Sequence, residues 1–190
     1  MLATVGGKPR ETKYFKMDYY SYLSGGDLRS IGESGKLIKK IKTQNEFDQL
    51  FDFLHSQERL IAMRAADVIE KITKINHEFL KSHVVDILNL AEQNIEKELK
   101  WHLAEMIPRL KLDIYEKKRA YDLLFKWLND STESKIVRVN SFQSLFYFAQ
   151  DDENLYKKLQ AVIKEIEKEK ISSLNARIRS VWPAANSTYR

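Results

Sequence analysis

The chain has 190 residues, 43% of them hydrophobic, and a formal net charge of +5 at pH 7. This length suits one domain with a proper core, and the absence of cysteine excludes disulfides, thiolate metal sites and cysteine nucleophiles. No apolar run approaches the ~20 residues that cross a bilayer, and the N-terminus lacks an apolar signal segment, so we expect a cytoplasmic protein without membrane partners.

The N-terminal residues are predicted to form a tail and a cap. Residues 1–16 contain glycine, proline and scattered charge without periodicity, so we predict a flexible tail. Residues 17–44 are predicted to cap the open end of a helical stack, with short helices over 18–23 and 34–42.

Residues 45–186 are predicted to form a helical repeat domain, because apolar residues recur with the helical period and Asn or Asp stands at helix starts. The predicted caps are Asn45, Asn76, Asp113, and Asp151 or Asp152. The predicted pairs are 45–54 with 57–75, 76–91 with 95–110, 113–127 with 134–149, and 151–166 with a shorter helix at 174–182. Pro108 is expected to kink or end its helix, and Pro183 to end the last one.

Three segments of the second helices align at a constant offset of 38 residues: 62–69, 100–107 and 138–145. Two aligned columns are polar throughout, and they hold Arg64, His102 and Asn140, and Asp67, Glu105 and Gln143. A helical repeat of this length is typical of an α-solenoid. The predicted fold class is therefore all-α, an α-α superhelix of about four helix pairs with an N-terminal capping segment.

Several segments resemble a group of small bacterial HEAT-repeat-like proteins, over roughly 18–182. The segments that carry the resemblance are 18–20, 25–32, 63–71, 100–110 and 134–138. It implies a HEAT-like solenoid and transfers no catalytic residues. HEAT-like alkylpurine DNA glycosylases share this architecture, but their catalytic positions do not match this chain residue by residue, so that activity rests on analogy.

The positive charge lies in the N-terminal part of the chain. Residues 1–45 hold nine Lys or Arg and four acids, whereas the remaining residues hold 23 of each sign. A domain that clamps nucleic acid usually carries a basic stripe on its body. The distribution therefore weakens nucleic-acid binding as a function but leaves it open.

Metal binding is not expected. Glu98, His102 and Glu105 share one helix face, but among the aligned positions of neighbouring repeats only Asp67 is a further good ligand. Because the sequence also shows no catalytic constellation, we expect no cofactor and no catalytic residue, and an enzyme is the less favoured class.

Two interpretations of the polar columns remain open. They form either one wall of a binding groove or a ladder that holds the repeats in register. The leading hypothesis is a non-enzymatic scaffold that binds a protein or peptide on its concave inner-helix surface. The alternative is a nucleic-acid-binding protein, glycosylase-like in fold, that uses the basic N-terminal segment. The candidate groove residues are Arg64, Asp67, Trp101, His102, Glu105, Arg109 and Arg138, with Asp27 and Arg29 at the rim.

Overall fold

A computed structural model describes residues 17–26, 32–93 and 96–185, with side chains as far as Trp182. The predicted tail over 1–16 and the rim residues Asp27 and Arg29 lie outside the described residues. Within those ranges the regular elements are ten α-helices and several 3-10 turns, and none is a strand. The all-α prediction is confirmed.

Two short helices precede the repeats, and the other eight form four consecutive pairs, as predicted. The short helices are α1 (Tyr19–Leu23) and α2 (Leu37–Lys40). The pairs are α3 (Gln44–Phe51) with α4 (Arg59–Ile75), α5 (Val84–Glu92) with α6 (Lys97–Met106), α7 (Ile114–Asn129) with α8 (Lys135–Ala149), and α9 (Glu153–Ile166) with α10 (Ser172–Ala185).

Side-chain caps fix where several helices begin. The Asp113 carboxylate accepts two backbone N–H bonds at 2.8 Å, and Glu116 accepts the N–H of Asp113 at 2.9 Å, which begins α7 as predicted. The predicted cap of α3, Asn45, is wrong. Thr43 caps this helix with Glu46 as its partner, because a reciprocal capping box satisfies two orphan backbone donors at once.

Pro108 ends its α-helix early, as predicted. Helix α6 stops at Met106, and the proline lies in a 3-10 turn, Ile107–Arg109. Proline has no N–H to donate to the carbonyl of Ala104 four residues earlier. That carbonyl instead accepts a 2.6 Å hydrogen bond from the Ser144 hydroxyl in the next repeat.

The prediction that Pro183 ends the last helix is wrong, because α10 runs to Ala185. A proline inside a helix costs one backbone hydrogen bond. Here the affected carbonyl is that of Arg179, an exposed residue whose backbone can bond to water instead. The helix therefore continues past the proline.

The helices stack in two layers. The second helices of the pairs, here called the inner helices, pack side by side in the order α4, α6, α8 and α10, and α5 packs on α7 in the other layer. Small buried residues such as Ala65, Ala104 and Ser141 let the inner helices approach closely. In the part of the chain that the structure describes, no helix is both long and apolar enough to span a membrane.

The cap is attached to the first inner helix through Arg64, which is 1% exposed. Its Nη1 atom donates to the carbonyl oxygens of Leu23 and Ser24, at 2.8 Å each. Gly32 packs against the same guanidinium, and a Cβ there would lie 3.3 Å from Nη1. The glycine also has a φ of +51°, which side chains rarely adopt, so both constraints favour glycine at this position.

We expect Arg64→Ala to lower the free energy of unfolding by about 2–4 kcal/mol, because it leaves buried carbonyls unpaired and opens a cavity. Urea unfolding followed by circular dichroism measures this cost. The matched control is Arg59→Ala on the same helix. Its exposed ion pair with Glu98, at 2.8 Å, should contribute about 1 kcal/mol or less. Equal losses of unfolding free energy in the two variants would contradict the role of Arg64 in attaching the cap.

Candidate functional site

The four inner helices and the turns that follow them line one cleft of about 410 Å³, here called the inner cleft. Each inner helix or its C-terminal turn contributes to the wall, so the cleft is assembled across the repeats. The lining residues are Thr73, Lys74, His77, Glu105, Pro108, Arg109, Asn140, Gln143, Ser144, Tyr147 and Arg177.

A buried carboxylate, that of Glu70, lies beneath the cleft wall and is 3% exposed. Its Oε1 atom accepts a 2.6 Å hydrogen bond from Arg109 Nη2 and forms an ion pair with Lys74 Nζ at 2.8 Å. Arg109 Nη1 also donates to the Glu70 carbonyl at 2.8 Å and to the Thr73 hydroxyl at 3.0 Å. The Arg109 guanidinium is therefore held in one orientation in the wall.

Glu105 shares a hydrogen bond with Glu70, and the two carboxyl groups differ in pKa. Burial acts to raise the pKa of Glu70, but the hydrogen bonds from Lys74 and Arg109 outweigh it and lower that pKa. Burial and the neighbouring charge of Glu70 raise the pKa of Glu105. Of the two carboxyl groups, Glu105 is therefore the more readily protonated, and Glu70 keeps its negative charge more strongly.

Arg138 is buried and connects neighbouring elements of the helical stack. Its Nε atom donates to the carbonyl of Leu128 at 2.8 Å. Its two terminal nitrogens donate to the Glu169 carboxylate at 2.6 and 2.9 Å, a bidentate pair that joins the third repeat to the fourth. Like Arg64, Arg138 does not reach the surface where a partner would bind.

His102 is also buried, at 2% exposure, and its ring stacks on Trp101 with centroids 3.6 Å apart. Burial lowers the pKa of His102 to about 4, so the imidazole is neutral near pH 7. Within the described residues its Nδ1 atom has no hydrogen-bond partner. The two residues that were predicted to share a helix face with His102 bond to other groups, Glu98 to Arg59 and Glu105 to Glu70. Over the described ranges no group of three potential metal ligands was found.

Among the described candidate residues, Glu105 and Arg109 line the inner cleft. Asp67 lies half-buried on the same helix as Lys71, to which it is bonded at 2.6 Å. Trp101 is half-buried against the core, and its carbonyl accepts a 3.4 Å hydrogen bond from the Asn140 amide.

Polar contacts between successive inner helices follow the repeat period. Arg109 reaches back 39 residues to Glu70, Asn140 reaches 39 to Trp101, and Ser144 reaches 40 to Ala104. Among these bonded residues, Asn140 is the one that belongs to the polar columns. Of the columns, Glu105, Asn140 and Gln143 line the cleft, whereas Arg64 and His102 are buried elsewhere and Asp67 bonds to Lys71.

The sequence reasoning missed Glu70, Lys74 and Arg177. Glu70 had a signal, because the residues at its offset of 38, Pro108 and Phe146, are not charged. Arg177 also falls on the offset, one repeat after Val139, but its helix matched the repeat poorly. Lys74 had the same signal, because the residues at its offset, Leu112 and Gln150, are also uncharged.

The stacked helix pairs and the cleft on their inner side define the chain as an α-solenoid. A family model for the HEAT repeat domain matches residues 27–184. The chain belongs to this HEAT repeat domain family. Comparison with curated proteins and with solved structures found no match.

We expect His102→Gln to make the protein less sensitive to acid. Below pH 6.5 the unfolded chain protonates this imidazole, whereas the folded protein resists protonation down to about pH 4. Stability from this group is therefore complete above pH 6.5 and is lost as the pH falls, by about 3 kcal/mol. Glutamine takes up no proton, so the stability advantage of the wild type should shrink by about this amount between neutral pH and pH 4.

Urea unfolding at a series of pH values measures this difference. The charges that act on His102 (Asp67, Glu70, Lys71 and Lys74) remain in both proteins. The control is His77→Gln at an exposed imidazole, which tests the change of residue type alone. A constant difference between His102→Gln and the wild type across the pH series would contradict a buried neutral imidazole.

Proposed function

We propose that this protein is a non-enzymatic helical-repeat scaffold that binds a protein or peptide in the inner cleft. The observation that carries the proposal is the convergence of side chains from all four repeats on one cleft of about 410 Å³. A peptide laid across it would contact successive inner helices, which is how solenoids build extended binding surfaces. The family supports a scaffold of this kind, because helical repeats commonly serve protein interaction.

The chemistry of the wall suits a peptide. Gln143 is half-buried in the wall and supplies an amide group that can bond to a peptide backbone. Tyr147 is exposed at the edge of the cleft and offers an amphipathic ring, a residue type that is enriched in protein interfaces. Arg177 is exposed on α10, and its Nη1 atom donates to the Gln143 side chain at 3.1 Å.

The carboxyl groups of the wall support a binding role over catalysis. Glu70 is engaged by Arg109, Lys74 and Glu105, so its oxygens already have partners within the protein. A general acid or base must instead be within hydrogen-bond reach of a substrate proton. Here the buried groups hold the wall, and the exposed groups are available to a ligand.

We expect Arg177→Ala and Tyr147→Ala each to weaken peptide binding about tenfold, the effect of losing roughly 1.4 kcal/mol of contact energy. Peptides are first selected from a random displayed library for binding to the wild-type chain. Their affinities for the wild type and for each variant are then measured by fluorescence anisotropy. Both side chains are exposed, so the variants should unfold at the same urea concentration as the wild type.

The matched control is Arg179→Ala. It removes the same side chain from the same helix, at an exposed position that does not line the inner cleft. Peptides that bind all three variants as tightly as the wild type would place recognition elsewhere and contradict the proposal.

A further inference from the structure

The inner cleft has an excess of positive charge. Lys74, Arg109 and Arg177 line it from three different repeats, whereas Glu105 is the single carboxylate among the described lining residues. Glu70 offsets one positive charge from below. Three cations therefore face two carboxylates, Glu105 and Glu70, so the cleft is cationic on balance even when both carboxyl groups are ionised.

Arg177 carries the least compensated charge in the wall. The described contact of its guanidinium is with a neutral group, the Gln143 amide oxygen, at 3.1 Å. By contrast, Arg109 and Lys74 both contact Glu70, although the Lys74 side chain remains 57% exposed. An incoming anion can therefore meet Arg177 without displacing an ion pair, and it can meet Lys74 from the solvent side.

A second groove of about 670 Å³ adjoins the cleft, and Tyr147 lines both. This groove carries two large apolar side chains that are strongly exposed, Ile114 at 75% and Tyr115 at 78%. Tyr121 and Phe148 continue the aromatic surface, and three lysines and three aspartates also line the groove. Contiguous exposed apolar side chains beside a polar cleft are typical of an interaction site.

We propose that the inner cleft receives an anionic side chain of a partner peptide, and that the adjoining groove receives an apolar residue of the same peptide. The anion is a glutamate, an aspartate or a phosphorylated residue, which share the chemistry that Arg177 and Lys74 recognise. This inference rests on the proposed function and specifies its ligand.

The same observations favour a peptide over a nucleic acid. A nucleic-acid strand needs a row of cations to follow its phosphates, and the repeat body holds equal numbers of basic and acidic residues. The three cations line one cleft of about 410 Å³ instead of a continuous row, which suits a single anionic side chain. The apolar groove beside them suits a neighbouring side chain of the same peptide.

Oriented peptide mixtures test the inference. Each mixture has a fixed central residue (Glu, phosphoserine, Gln, Ser or Lys) between randomised positions, and the retained peptides are identified by mass spectrometry on the immobilised full chain. We expect the Glu and phosphoserine mixtures to be retained about fivefold to tenfold more than Gln and Ser, with apolar residues enriched beside the centre. The ratio of the Glu and phosphoserine signals distinguishes the two sources of the anion.

Three variants and one matched control test which residues make these contacts. Arg177→Gln should reduce the preference for Glu over Gln to about twofold or less, and Arg177→Glu should shift retention toward the Lys mixture. Arg179→Gln, the matched control, should keep the wild-type preference. Tyr115→Ser should remove the enrichment of apolar residues and leave the preference for the anion intact.

The remaining outcomes distinguish failure of this inference from failure of the proposed function. Retention that depends on Tyr147 but is equal for Glu and Gln would overturn the anion inference and leave the proposed function standing. Absence of retention from every mixture would overturn both. Binding of single-stranded oligothymidine that Arg177→Gln abolishes and that falls steeply with salt would overturn both in favour of nucleic acid.

Discussion

One buried carboxylate, that of Glu70, organises the inner side of the solenoid. A carboxylate taken out of water is costly unless it is paired and fully bonded. The protein meets this requirement with Arg109 from the next repeat, Lys74 from the same helix and a hydrogen bond shared with Glu105. The orientation of Arg109, the raised pKa of Glu105 and the position of Lys74 all follow from it, and these three groups line the inner cleft.

Backbone carbonyls that need hydrogen-bond donors connect the other repeats in the same way. Pro108 deprives the Ala104 carbonyl of its helical donor, and Ser144 supplies a replacement from α8. Arg64 bonds two carbonyls of the cap, and Arg138 bonds the carbonyl of Leu128 together with Glu169 of the last repeat. The bonds of Arg64, of Ser144 and of Arg138 to Glu169 form only when the cap or the neighbouring repeat is in place. The ladder therefore favours one register of the stack over others.

A cleft assembled in this way depends on the whole stack. Its wall includes residues from all four inner helices or their C-terminal turns, so no single repeat presents the complete surface. Because the buried ladder holds several wall residues before any ligand arrives, little side-chain entropy is lost there on binding. The exposed residues at the edge, Tyr147 and Arg177, remain free to adapt to a ligand. A rigid wall with a few adaptable side chains is consistent with the proposed peptide binding.

The sequence by itself determined the helical-repeat class, the four helix pairs, the offset of 38 residues and the early end of α6, because helical periodicity, caps and proline act locally. It also marked the polar columns, but it did not separate their buried members from those that face solvent. That distinction depends on how neighbouring repeats pack, which local patterns do not encode. Only the tertiary structure placed Arg64, His102 and Arg138 inside and brought Lys74 and Arg177 to the cleft. The reason is that burial depends on neighbouring repeats, and that hydrogen-bond partners of Arg64, Glu70, Arg138 and Arg177 lie 31 or more residues away in the chain.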